Sequence, residues 1–211
     1  MPSCFATLKC GKQFAHAEGN VMFEPDMPVI ISLLRGVNVG GHHLIKMDAL
    51  RALYESLGLR DAQTYLQSGN VVFGAERRDL SLLAKQIEDR IEKRFGFRPE
   101  VIVRTPSDFR KVMAGNPFAA RRDINPSKLI VTFLAQDPGE EARKAILRIK
   151  TDPEELQISG RELYVYFPNG MGRSKLTGAT IEKTLKTRGT ARNWNTVRKL
   201  LDMAETLEAS Q

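Results

Sequence analysis

A chain of 211 residues, 42% hydrophobic and 27% charged, is ordinary in composition for a globular protein and long enough to bury one large core or two small ones. No apolar run approaches the roughly 20 residues of a membrane helix, and the N-terminus lacks the apolar centre of a secretory signal, so a cytoplasmic protein without membrane contact is expected. The net charge of +7 is uneven: residues 168–200 hold eight lysines and arginines against Glu182 alone, which accounts for all of it. Such a concentration points to a phosphate-bearing partner, the plainer alternative being a solvated helix face.

The first 26 residues sustain neither helical nor strand periodicity, and Met27-Pro28 repeats the Met1-Pro2 start just before the first convincing strand. Met27 is the expected start of the folded chain, with residues 1–26 a disordered or mis-annotated extension. Cys4 and Cys10 both fall there, which excludes a disulfide framework for the body. With His16 they give Cys-x5-Cys-x5-His, which lacks the close ligand pairs of zinc modules, and no metal is expected.

Val29 to Leu34 is short and rich in β-branched residues, the composition of a strand covered on both faces. Arg35-Gly-Val-Asn-Val-Gly-Gly41 follows, with three glycines that allow positive φ and close backbone approach. Apolar residues then recur at helical spacing from Met47 to Leu57, so the loop leads to a helix N-terminus, where free N–H groups favour an anion. The glycines fit neither a Walker loop nor a dinucleotide fingerprint, and a tight strand-to-helix turn with incidental basic flanks is the competing reading. Asp61 to Leu66 and Val71 to Phe73 read as a hairpin across Ser68-Gly-Asn70. Leu80 to Phe95 is an amphipathic helix with Asp79 as N-cap and Gly96 as its stop, and Glu100 to Arg104 is a strand. This βαββαβ order is that of a ferredoxin-like unit.

After a short helix through Met113, the pattern begins again. Lys128 to Ala135 reads as a strand, Pro138 to Lys150 as a helix, and Glu154 to Ile158 with Glu162 to Phe167 as a hairpin across Ser159-Gly160. Tyr65-Leu-Gln-Ser-Gly-Asn-Val-Val-Phe73 resembles Leu156-Gln-Ile-Ser-Gly-Arg-Glu-Leu-Tyr164, which supports an internal duplication. Gly178 to Leu185 supplies a helix, and a second helix from Trp194 to Leu207 is expected to replace the closing strand.

No Ser/His/Asp or Cys/His set can be assembled from the body, which contains only His42 and His43 and no cysteine. Adjacent histidines in a glycine loop without a carboxylate cluster read as exposed polar residues rather than metal ligands. The richer signal is Tyr166 to Thr177, a strand running into a second glycine-rich basic loop: Arg173 and Lys175 offer charge, Ser174 and Thr177 hydroxyls, and the next helix its N-terminal amides. Alternatively, that loop merely caps the helix. In Thr190-Ala-Arg-Asn-Trp-Asn-Thr-Val-Arg198, Asn193 or Thr190 can cap the last helix and Trp194 pack against a sheet, or Trp194 beside Arg192 can stack on a base or sugar.

Together, Arg35 to Gly41 with Lys46-Met47, Tyr65 with Ser68 to Asn70, the Pro168-to-Thr177 loop and Thr190 to Thr196 resemble the bacterial family called domain of unknown function 1697, over about Met27 to Leu207. The resemblance implies two related ferredoxin-like α+β halves and implies no activity. The expectation is therefore an α+β protein of two ferredoxin-like (βαββα) units with antiparallel sheets, 27–115 and 116–211, the second carrying a C-terminal helix. Its expected role is to bind nucleic acid or a nucleotide through Arg35, Asn38, Gly40, Gly41, Lys46, Ser68, Asn70, Arg173, Ser174, Lys175, Arg192, Asn193, Trp194 and Arg198. The rivals are an enzyme acting on a small anionic metabolite, and a purely structural use of the glycines and Ser-Gly turns between the units. No cofactor is expected.

Overall fold

A computed structural model of the protein describes residues 27–76 and 79–211, with the backbone alone at Arg173. Residues 1–26, with Cys4, Cys10 and His16, lie outside the described residues. The first half runs β1 (Val29–Leu34), α1 (Met47–Glu55), β2 (Arg60–Tyr65), β3 (Asn70–Gly74), α2 (Leu80–Phe95) and β4 (Val101–Arg104), followed by α3 (Pro106–Ala114). The second runs β5 (Leu129–Leu134), α4 (Gly139–Leu147), β6 (Glu155–Ser159), β7 (Glu162–Tyr166), α5 (Gly178–Leu185), β8 (Gly189–Asn193) and α6 (Trp194–Ala209). The strands form two four-stranded antiparallel sheets, ordered β2-β3-β1-β4 and β6-β7-β5-β8. The protein is thus a mixed α+β fold with a C-terminal helix.

Each sheet is covered on both faces, which is why β1 and β5 are so apolar. Ile30 and Leu34 point to a core shared with α1 and α2, while Val29, Ile31 and Leu33 point the other way. Those three meet Leu129, Val131 and Phe133 of the second sheet in one central core, with Phe109 and Val112 of α3 and Trp194, Val197 and Leu200 of α6. A third core lies between the second sheet and α4 and α5. Local signals end the helices as expected: Asp79 accepts from the N–H groups of Ser81 and Leu82, both at 3.0 Å, and Gly96 stops α2 at φ 79°. α3 opens on Pro106 with a capping box between Thr105 and Asp108. Among the described residues, no helix is long and apolar enough to cross a membrane.

Two expectations are corrected. The last helix does not replace the closing strand: Gly189–Asn193 is β8, paired with β5 from Ile130↔Asn193 to Leu134↔Gly189. It lacks a strand's apolar alternation because Thr190 and Arg192 are buried by polar contacts with the first half. The two hairpins also differ. Tyr65↔Asn70 closes a four-residue loop, whereas Ser159↔Glu162 closes a two-residue loop of Gly160 and Arg161. Leu34 N–H donates to the Gly69 carbonyl and Leu134 N–H to that of Arg161, both at 2.8 Å, so Gly69 corresponds to Arg161 and the Ser-Gly pairs are out of register by one residue.

Candidate functional site

The two halves exchange arginines. Arg192 on β8 reaches into the first half and spends all five of its N–H groups on neutral oxygens. Nε donates to Asn70 Oδ1; one terminal nitrogen donates to Thr190 Oγ1 (2.7 Å) and the Ala191 carbonyl (2.9 Å); the other donates to the carbonyls of Leu34 (2.8 Å) and Ser68 (2.9 Å). Arg104 on β4 does the converse, donating to the Leu134 carbonyl at 2.8 Å and to Glu162 Oε1 at 3.4 Å. The registers Ile31↔Arg104 and Val131↔Arg192 place the two arginines at equivalent points of their sheets. Each grips the carbonyl that ends the other half's first strand. Burial pulls the Arg104 guanidinium below its ordinary value, and the neighbouring Arg161 adds to this while Glu162 opposes it.

Several expected ligand residues are committed to this seam. Asn70 is fully buried, and its amide donates to the Tyr65 carbonyl (2.7 Å) and Ser68 Oγ (2.9 Å). Asn38, at φ 55°, ties the first loop together by accepting from Ile45 N–H (2.8 Å) and donating to the carbonyls of Ile45 (3.0 Å) and Gln67 (2.7 Å). Arg35 forms a bidentate pair with Glu182 of α5, both bonds 3.0 Å, and Nε also reaches the Gly189 carbonyl at 3.2 Å. Beside it, the Glu100 carboxyl keeps one buried oxygen without a partner among the described residues, and desolvation raises its pKa against the pull of Arg188 and Arg35. Gly40 and Gly41, both at positive φ, form an exposed two-residue turn between Val39 and His42. His43 stacks on Phe97 at 4.4 Å.

The remaining expected residues lie apart. Lys46 precedes α1, exposed and without a side-chain cap bond. Asn193 caps α6 and donates to the Ser127 carbonyl at 2.7 Å, while Trp194 is 8% exposed in the central core and presents no free ring face for stacking. Arg198 lies exposed on α6. The loop holding Arg173, Ser174 and Lys175 separates two cavities. Ser174, Thr132, Met171, Glu182 and Gly189 line a mostly apolar crevice of about 230 Å³ over β5 and β8. Lys175, with Lys150, Thr151, Asp152, Glu154 and Thr180, lines an open cleft of about 400 Å³ on the other side. The residues that sequence reasoning missed are Arg104, Glu162, Glu182 and Thr132. A lone arginine closing the apolar run Val101-Ile-Val-Arg104 was the one local signal.

Two four-stranded antiparallel sheets around a shared core, locked by reciprocal arginines, define the class as an α+β protein. The model of the family described as protein of unknown function (DUF1697) matches residues 27–164, and the chain belongs to that family. The match includes the Arg35–Gly41 and Ser68–Asn70 motifs and ends before the 168–177 loop. No curated protein matches the chain. Among solved structures it is similar to a conserved bacterial protein, SP0830 from Streptococcus pneumoniae, at 20% identity and a TM-score of 0.65, covering 84% of this chain and 99% of that one. At that identity the likeness concerns the fold.

Proposed function

We propose that this cytoplasmic protein binds a phosphate-bearing ligand, nucleic acid or a nucleotide, over an open basic surface. The observation that carries the reading is what remains after the seam has taken its share: Lys46, Lys175, Lys183, Lys186 and Arg198 are exposed and, among the described residues, make no ion pair. Cations spread over an open surface suit a polyanion, whose phosphates they neutralise with release of counterions. Anisotropy titrations of labelled single-stranded RNA and duplex DNA, and of a labelled nucleotide, at increasing salt test it. Affinity should fall steeply with salt, and Lys175→Ala with Arg198→Ala should weaken binding at unchanged melting temperature. Absence of binding at low salt, or binding indifferent to salt, overturns the reading. One observation favours the rival, an enzyme on a small anionic metabolite: Lys150 and Lys175 share the 400 Å³ cleft. Asp152 and Glu154 line it too and would repel such a substrate.

We propose also that 27–115 and 116–211 are ferredoxin-like units related by internal duplication. The identical strand orders, the equivalent positions of Arg104 and Arg192 and the matching 2.8 Å bonds at Leu34 and Leu134 support this.

A further inference from the structure

In the first half, the hydroxyl at the middle of the central strand is satisfied. Ser32, fully buried, shares a 2.8 Å hydrogen bond with the phenol of Tyr54 on α1, and the sixteen residues of α2 cover the rest of that face. The register places Thr132 at the same point of the second sheet: Ser32 lies opposite Val71 and Val103, and Thr132 opposite Leu163 and Ala191. Here the cover is thinner. α4 carries no tyrosine, its buried residues being Ala142 and Ile146, and α5 is only eight residues long.

Thr132 is nonetheless 7% exposed. Its methyl lies against Gly189, where an added Cβ would stand 2.8 Å from Thr132 Cγ2. Its hydroxyl has no hydrogen-bond partner among the described residues and is not enclosed by other atoms; it opens on the 230 Å³ crevice. A hydroxyl that no protein group engages, opening on a largely apolar crevice, is free to pair with whatever enters that crevice. The crevice walls are Ile130, Val165, Phe167, Leu176, Ile181 and Ala191, with Met171 exposed at the rim. Among the described residues the one ionic group that lines it, Glu182, already holds Arg35 in a bidentate pair. An anion would face that carboxylate, and a cation would have to displace Arg35.

We propose that this crevice binds a small uncharged molecule consisting of an apolar ring and one hydroxyl or amide. The ring takes the place that the tyrosine and the longer helix fill in the first half, and the polar group pairs with Thr132 Oγ1. The volume lies below the roughly 300 to 1,000 Å³ of drug-sized sites, which limits the occupant to about a single ring. None of the cations assigned to the phosphate-binding surface lines this crevice, so the proposal does not rest on that reading.

Amide NMR titrations of the full chain with benzyl alcohol and with toluene test the proposal. Both probes should give saturable shifts at Met171, Ser174 and Ala191, with benzyl alcohol the tighter. Thr132→Val, which keeps the shape and removes the hydroxyl, should weaken benzyl alcohol about tenfold and leave toluene unchanged, since one hydrogen bond to a neutral group is at stake. Ala191→Leu, which fills the crevice, should abolish both. The proposal is overturned if neither probe gives saturable shifts at these residues, or if Thr132→Val binds benzyl alcohol as the parent does. It is equally overturned if the crevice amides broaden with protein concentration in the absence of probe, since a second copy would then be the occupant.

Discussion

Arg192 carries a charge among neutral acceptors, and burial pushes its pKa down from the ordinary arginine value to about 10. Because the folded value is the lower one, the unfolded chain holds more protons between these limits, and this group's contribution to stability rises with pH across that window. Tyr54 and Tyr164 act in the opposite sense. Burial raises both phenols above the ordinary value of 10.0, so the stability that they confer is complete below pH 10 and is lost as the unfolded phenols ionise above it. Two tyrosines outweigh one arginine, and urea midpoints should therefore decline above pH 10, less steeply in Tyr54→Phe; a flat or rising profile would contradict these burials. Arg192→Met takes a donor from five oxygens, leaving the Leu34 carbonyl only the Thr190 hydroxyl at 3.3 Å, and should cost about 3 kcal/mol or more in urea unfolding. Arg192→Lys should recover only part of this, having three donors where five are used.

At the scale of single elements, two glycines separate backbone strain from close packing. Both Gly36 and Gly69 have positive φ, 71° and 70°, but only Gly69 is crowded: a Cβ there would lie 2.6 Å from Val37 Cγ2 and 2.7 Å from Leu34 Cβ. Gly36→Ala should cost about 1 kcal/mol and Gly69→Ala distinctly more, because the latter must also shift the end of β1. Chemical denaturation of the pair would show it. α2 was legible in the sequence, caps included, because Asp79, Gly96 and a stripe of apolar residues are all local signals. β8 was not, because Thr190 and Arg192 owe their burial to residues more than 120 positions away, at Leu34 and Asn70. The hairpin alignment failed for a similar reason: Ser-Gly occurs in both turns, but only the pairing shows that one loop has four residues and the other two.

For the molecule as a whole, the central core joins both sheets through α3 and α6, so neither half can open without exposing the other. Thermal unfolding should accordingly be a single transition by far-UV and near-UV signals alike, and Arg104→Met should shift that one transition rather than split it. The fold class could be read from the order of apolar runs. The use of the conspicuous loops could not, since Arg35, Asn70 and Arg192 look alike in sequence whether they bind a ligand or a neighbouring strand. The exchanged arginines are alike in position yet unlike in partner, for Arg104 meets a carboxylate and Arg192 an amide. Two copies of the first half would put two Arg104-type side chains against Asn70, and two copies of the second would put two Arg192-type side chains against Glu162. A seam between unlike halves thus holds one guanidinium on a carboxylate and one on an amide, where a seam between like halves would hold two of a kind: the interface is asymmetric in chemistry although its arginines are equivalent in position.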